Sequence, residues 1–216
     1  MGPLNTYSIL ALAGVVGPLV LIAADLTAAI SQPGYSPIRD SISSLAWSPM
    51  GWLQTIGFLT VGLLVEVFVG GLFFGIRGGR GFGYGIGLLV CFGFGLLLIG
   101  AFRTDPIGGQ TSIEGTIHGV TAKAVFFIFP IASLLIALSL RKDPRWRGLF
   151  IHTIATSGLA LLLVIGRIWL PEEMSWFGLY ERILVANTVI WVMIMAVRLL
   201  RLSLGAPEVL NKSTIF

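Results

Sequence analysis

The sequence predicts an all-α membrane protein, six transmembrane helices in one bundle, on three observations. The chain of 216 residues is 56% hydrophobic and 11% charged, with a mean hydropathy of +0.93, far above the range of a soluble globular domain. Apolar runs of about 20 residues recur along it, each enough to cross a hydrocarbon core of roughly 30 Å at 1.5 Å per residue. Basic residues gather in alternate connections between those runs.

The first run, 7–30, is longer than the apolar region of a signal peptide and follows no basic segment, so it reads as a retained span. Further spans are expected at about 50–76, 82–102, 116–140, 148–170 and 175–200. They leave no stretch for a soluble domain, so residues 1–216 read as one transmembrane domain. Six spans place both termini on one side. "RGGRG", "RKDPRWR" and the tail beginning "RLLRL" share that side and hold nine of the fourteen basic residues: Arg77, Arg80, Arg141, Lys142, Arg145, Arg147, Arg198, Arg201 and Lys212. The positive-inside rule makes it cytoplasmic in a multi-pass protein of the cell membrane. The connections "SQPGYSPIRDSISSLAWSP", "RTDPIGGQTSIEG" and "PEEM" then face the extracytoplasmic side.

Several function classes are excluded at this level. The basic residues lie at span ends and not in a patch interleaved with aromatics, which argues against nucleic acid as a partner. "GFGYGIG" lacks the Gly-Lys-Ser/Thr of a phosphate loop and the spacing of the dinucleotide fingerprint. Its glycines, with Gly71/Gly75, Gly81/Gly85 and Gly83/Gly87 at small-xxx-small spacing, predict close helix approach instead. The single cysteine, Cys91, lies in an apolar run with nothing nearby to ionise it, and reads as packing. His118 and His152 start spans from opposite faces, which disfavours zinc and haem and leaves open a carboxylate-rich site for a hard cation; no cofactor or metal ligand is called for.

The informative residues are ionisable groups inside spans, since each costs about 3 kcal/mol or more in hydrocarbon unless paired or wetted. Asp25 lies about five residues, roughly 8 Å, below the outer end of the first span. His118 and Lys123 sit in the first turns of the fourth, Arg167 in the last turn of the fifth, and Glu181 and Arg182 early in the sixth. With Arg39, Asp40, Arg103 and Asp105 from the connections, they bring charge of both signs to one depth. Two readings stand side by side: a clasp of ion pairs and helix caps, or the lining of a pocket for a polar head group or a reacting bond.

Within the second reading His118 suits acid/base work near neutrality. Asp105 precedes it across a loop containing Pro106, Gly108 and Gly109, so the two can fold back into contact. Ser41, Ser43 and Ser44 supply hydroxyls, or cap a short interfacial helix. Glu66 stands apart towards the inner leaflet, as a carboxyl bonded to a neighbouring helix or as part of a proton or ion path. Tyr35, Trp47, Trp52, Trp169, Trp176, Phe177 and Tyr180 form an interfacial belt or line a cavity for an apolar, isoprenoid-like ligand.

"YSPIRDSISSLAW" followed by "GWLQTIGFLTVGLL", then "GAFRTDP" with "GTIHG", and finally "GLYERI", resembles the bacterial integral-membrane family of unknown function numbered nine-nine-eight. The resemblance covers about residues 10–198 and implies a six-helix membrane protein. Arg39, Asp40, Ser41, Ser44, Asp105, His118, Glu181 and Arg182 belong to its pattern, and it brings no established reaction.

The expectation is a membrane-embedded enzyme with an outward site, acting by acid/base chemistry on a lipid-like or isoprenoid-like substrate. Asp40, Asp105 and His118 are its expected catalytic residues, with Asp25, Arg39, Ser41, Ser44, Arg103, Glu181 and Arg182 binding substrate. Expected partners are membrane lipids and a hydrophobic small molecule. The alternatives are a non-catalytic subunit or lipid-binding scaffold whose polar cluster is structural, and a small ion-coupled transporter using Glu66.

Overall fold

The computed structural model describes residues 5–106, 108–167 and 175–205. It contains six α-helices: α1 (Thr6–Ser31), α2 (Gly51–Gly75), α3 (Phe82–Ala101), α4 (Ile113–Leu140), α5 (Phe150–Arg167) and α6 (Phe177–Gly205). Short 3-10 helices at Ser43–Trp47 and Arg147–Leu149 precede α2 and α5. No strand occurs among the described residues. All six helices are long and apolar enough to span a bilayer, the fifth counted from Arg147, as expected of a multi-pass membrane protein.

Local chemistry sets the boundaries. Asn5 caps α1 by accepting from the Ser8 amide at 2.9 Å. Ser112 caps α4 through the Gly115 amide at 2.9 Å, so α4 starts at Ile113 and not at Thr116 as hydropathy predicts. Gly81, at φ 86°, turns the chain into α3 in the left-handed region open to glycine. The sixth helix runs on to Gly205, past the expected end, while residues 168–170 of the expected fifth span and the "PEEM" connection lie outside the described residues.

Each helix packs on the next in sequence, and α6 returns against α1 to close a ring. The core is knitted by the aromatic series Phe92–Phe129–Trp191, with centroids 5.6 and 5.5 Å apart, and by the Trp191 indole donating to Thr153 Oγ1 at 3.1 Å. Of the glycine pairs, Gly71 and Gly75 pack under Leu199, and Gly85 packs against Ile136 and the Ala132 carbonyl. Gly83 and Gly87 have no neighbour within 4 Å, so that pair is not a helix contact.

One end of the bundle is fastened by Asp143, which the sequence reading passed over within "RKDPRWR". Its carboxylate accepts from the Arg77 amide at 3.1 Å, the Arg145 amide at 3.0 Å, and Arg145 Nε and Nη2 at 3.0 and 2.7 Å. Burial pushes the Asp143 carboxyl up, but the Arg145 guanidinium and the two amides outweigh it and hold it below its ordinary value. The Trp146 indole beside it donates to the Gly75 carbonyl at 3.0 Å, tying this connection to α2.

Replacing Asp143 removes the acceptor shared by the Arg145 guanidinium and two backbone amides. Asp143→Ala is expected to cost about 3–5 kcal/mol, read as a lowered melting temperature in detergent. Because the native pKa is depressed, the stabilisation is full above the ordinary carboxylate value of about 4 and is lost as pH falls through the native value. Stability that does not change with pH in that window contradicts the assignment.

Candidate functional site

At the opposite end, the connection from Gly34 to Met50 folds over the bundle as a roof. Non-helical backbone at such depth survives only where its polar groups find partners. Arg182 provides several of them. Its Nη1 donates to the carbonyls of Pro37 and Asp40 at 2.9 Å and of Gly178 at 3.1 Å, and its Nη2 donates to the Tyr35 hydroxyl. Tyr35 in turn donates to the Ser41 carbonyl at 3.0 Å. Burial pushes the Tyr35 phenol up to about 12, so it stays protonated. The first-turn amides of α6, which lack intrahelical acceptors, donate to the roof as well: Gly178 to Arg39 at 3.2 Å and Leu179 to Ile38 at 2.9 Å. Glu181 completes this edge by accepting from the Ile42 amide at 2.6 Å.

The other edge of the roof is fastened to α3 and α4. The Trp47 indole donates to the Thr104 carbonyl at 2.9 Å, and the Arg103 guanidinium lies 5.6 Å from the Trp47 ring centre. His118 bridges the two segments, with Nδ1 2.8 Å from the Phe102 carbonyl and Nε2 3.1 Å from Ser43 Oγ. Underneath, the Gln54 amide donates to Asp25 at 3.2 Å and to the Ile42 carbonyl at 3.1 Å, while its Oε1 is buried without a partner among the described residues.

Below the roof lies a cavity of about 370 Å³, within the range of small-molecule sites. Its walls are apolar side chains of α1, α2, α3, α4 and α6, among them Leu21, Val61, Phe92, Val125 and Val189. Its polar lining is confined to Asp25, Ser43, Glu181 and Arg182 at the roof and Thr188 deeper in. Ile22, Leu26 and Ile190 also line it and are 41%, 56% and 51% exposed, so the cavity lining reaches the apolar outer flank of the bundle.

The predicted site residues therefore fall into separate groups. Asp25, Glu181 and Arg182 meet at the top of the cavity. Arg39 and Asp40 pair with each other at 2.8 Å on the surface, Arg39 being 60% exposed. The bonded Arg39 guanidinium holds the Asp40 carboxyl below the usual carboxylate range. Ser41 and Ser44 close the turn into the 3-10 helix, Ser41 Oγ accepting from the Ser44 amide at 3.2 Å and Ser44 Oγ donating to the Ser41 carbonyl at 2.7 Å. Asp105 does not hydrogen-bond His118. Its carboxylate accepts from the Ser112 amide and hydroxyl, at 3.1 and 2.6 Å, and sits over Gly115 at the N-terminus of α4, where a helix favours negative charge. Arg103 is bound to Trp47, and its amide donates to Glu114 at 2.7 Å. Asp40, Asp105 and His118 thus have separate partners.

Sequence reasoning missed Gln54, Tyr35 as a donor, and Gly178. Gln54 had a signal, an amide one turn into a largely apolar helix. Glu66 is not among the described lining residues of the cavity: it packs between α2 and α3 against Gly93, its carboxyl bonded to the Phe94 backbone and its Oε1 buried without a partner among the described residues. No three His, Cys, Asp or Glu residues converge in a metal-ligating group among the described residues.

Residues 15–198 match the family described as "Protein of unknown function (DUF998)". No curated protein and no solved structure matches the chain.

A side chain at Gly178 would collide with the Asp40 and Pro37 carbonyls. Gly178→Ala is expected to lift the roof from α6 at a cost of about 1–3 kcal/mol, measured as a lower melting temperature together with faster proteolysis between Gly34 and Met50. Unchanged cleavage there contradicts the role given to this contact.

Proposed function

The chain belongs to the DUF998 family, a membership that names no reaction, and from the cavity and its roof we propose that it binds a lipid-like amphiphile inside the bundle. The tail lies among the apolar walls and the head meets Asp25 and Glu181. The observation carrying this reading is that the charged groups among the described lining, Asp25, Glu181 and Arg182, gather at one end of an otherwise largely apolar chamber of about 370 Å³.

The head group follows from the roof's chemistry. Two carboxyls line the cavity against one guanidinium, and that guanidinium is occupied by three backbone carbonyls and a phenol. A head that donates hydrogen bonds, an amine or a hydroxyl, matches this roof, and an anionic head does not. Binding is favoured over an acid/base centre of Asp40, Asp105 and His118, because those residues are held by different partners. Transport through Glu66 gains no support, since that side chain lies outside the cavity lining. We place the roof on the extracytoplasmic side of the cell membrane and both termini in the cytoplasm, on the strength of the basic residues at the Asp143 end.

In lipid nanodiscs, a long-chain alkylamine is expected to raise the melting temperature and to bind at least about tenfold more tightly than a fatty acid of equal length, a difference of about 1.4 kcal/mol. Shortening the chain from sixteen to six carbons should remove the effect, as should Glu181→Gln combined with Asp25→Asn. Equal stabilisation by amine and acid, or independence of chain length, refutes the reading.

A further inference from the structure

The roof contains a hydrogen-bonded pair in which the position of each proton is determined by its partners. His118 is 6% exposed, and its Nδ1 lies 2.8 Å from the Phe102 carbonyl oxygen. A carbonyl only accepts, so Nδ1 carries the ring proton. In the neutral ring Nε2 is then a lone-pair acceptor, and Ser43, 3.1 Å away, donates its hydroxyl proton to it. A hydroxyl resting on an oriented imidazole is the arrangement of a nucleophile on its general base, with a backbone carbonyl here in the place a carboxylate takes in a catalytic triad.

Position supplies the second half of the argument. Ser43 lines the large apolar cavity, and it also lines a space of about 10 Å³ bordered by His118, Gln54 and Arg103. Ser43 therefore borders both the apolar cavity and a compartment with room for about one water. The buried Oε1 of Gln54 is an acceptor available to orient that water. Arg103 borders the same space, with its guanidinium against the Trp47 ring.

The geometry points to a second function, resting on the binding reading: Ser43 takes the acyl group from a lipid-like ester whose chain occupies the cavity, with His118 as general base. The Ser43 hydroxyl proton passes to His118 Nε2 as Oγ bonds to the ester carbonyl carbon. The bond from that carbon to the alcohol oxygen then breaks, and the leaving alcohol takes the proton from Nε2, giving acyl-Ser43. Water from the small space gives one proton to Nε2 and its oxygen to the acyl carbon. Ser43 leaves with the proton, so the sum is ester plus water to acid plus alcohol. Asp105 takes no part, because its carboxylate is bound to Ser112.

A fluorophosphonate carrying a dodecyl chain tests this on the full chain in nanodiscs, since it traps a serine only where a base assists. The expected result is an adduct on the peptide containing Ser43, formed at least about 10²-fold more slowly in His118→Ala. Ser43→Ala should lose the adduct, and the binding reading is judged separately, on the stabilisation of the wild type by long-chain amine. If the amine stabilises the wild type and no adduct forms on Ser43, the acyl transfer is overturned and the binding reading stands. An adduct confined to Ser41 or Ser44 overturns it equally, as does a Ser43 rate unchanged in folded His118→Ala. Should either variant fail to fold, the wild type decides: the dodecyl reagent is expected to outpace its ethyl analogue on Ser43, and equal rates overturn the link to the cavity.

Discussion

Arg182 donates to the carbonyls of Pro37, Asp40 and Gly178 and to the Tyr35 hydroxyl, and the remaining structure at this end of the bundle depends on that set of bonds. Irregular backbone between the first two spans has polar groups that hydrocarbon cannot satisfy. A planar guanidinium with five donors meets several of them at once, which a lysine ammonium on a flexible stem does less well. The first-turn amides of α6 take two more carbonyls, so the helix end and the roof satisfy each other. The polar stretch "GYSPIRDSISSLAW" persists among apolar spans because it is the covering of the bundle, bonded at its edges to α6 and to the start of α4.

That covering shapes the space beneath it. With the roof attached at both edges, the ring of helices surrounds an apolar cavity whose polar lining among the described residues is Asp25, Ser43, Glu181, Arg182 and Thr188. An amphiphile has the same division of character. Gln54 joins the parts, donating to Asp25 on α1 and to the Ile42 carbonyl of the roof. Displacing the roof would therefore disturb the Ile42–Glu181 contact, the Gln54 link to Asp25 and the Ser43–His118 pair together.

The two ends of the bundle handle charge differently. At the Asp143 end a buried carboxylate is surrounded by two amides and a guanidinium, leaving little unsatisfied. At the roof end the carboxyls of Asp25 and Glu181 have one hydrogen bond each in the described structure and line open space. Full satisfaction suits a fastening and partial satisfaction suits a site, since the remaining acceptor capacity is what a ligand uses.

The sequence by itself determined the six spans, because the need to satisfy every backbone group in hydrocarbon makes a long apolar run a helix whatever surrounds it. It also singled out Asp25, Glu181 and Arg182, since a charge within such a run is costly and seldom idle. It did not separate them from Asp40, Asp105 and Arg103, which share their depth in the chain order. Only the tertiary structure did so, by giving Asp105 to the Ser112 cap, Asp40 to Arg39 and Arg103 to Trp47. Hydropathy reports how deep a residue lies, whereas its partners depend on the azimuth of each helix and the path of each connection. Those are set by packing between elements distant in sequence, such as Ser43 with His118 and Ile42 with Glu181.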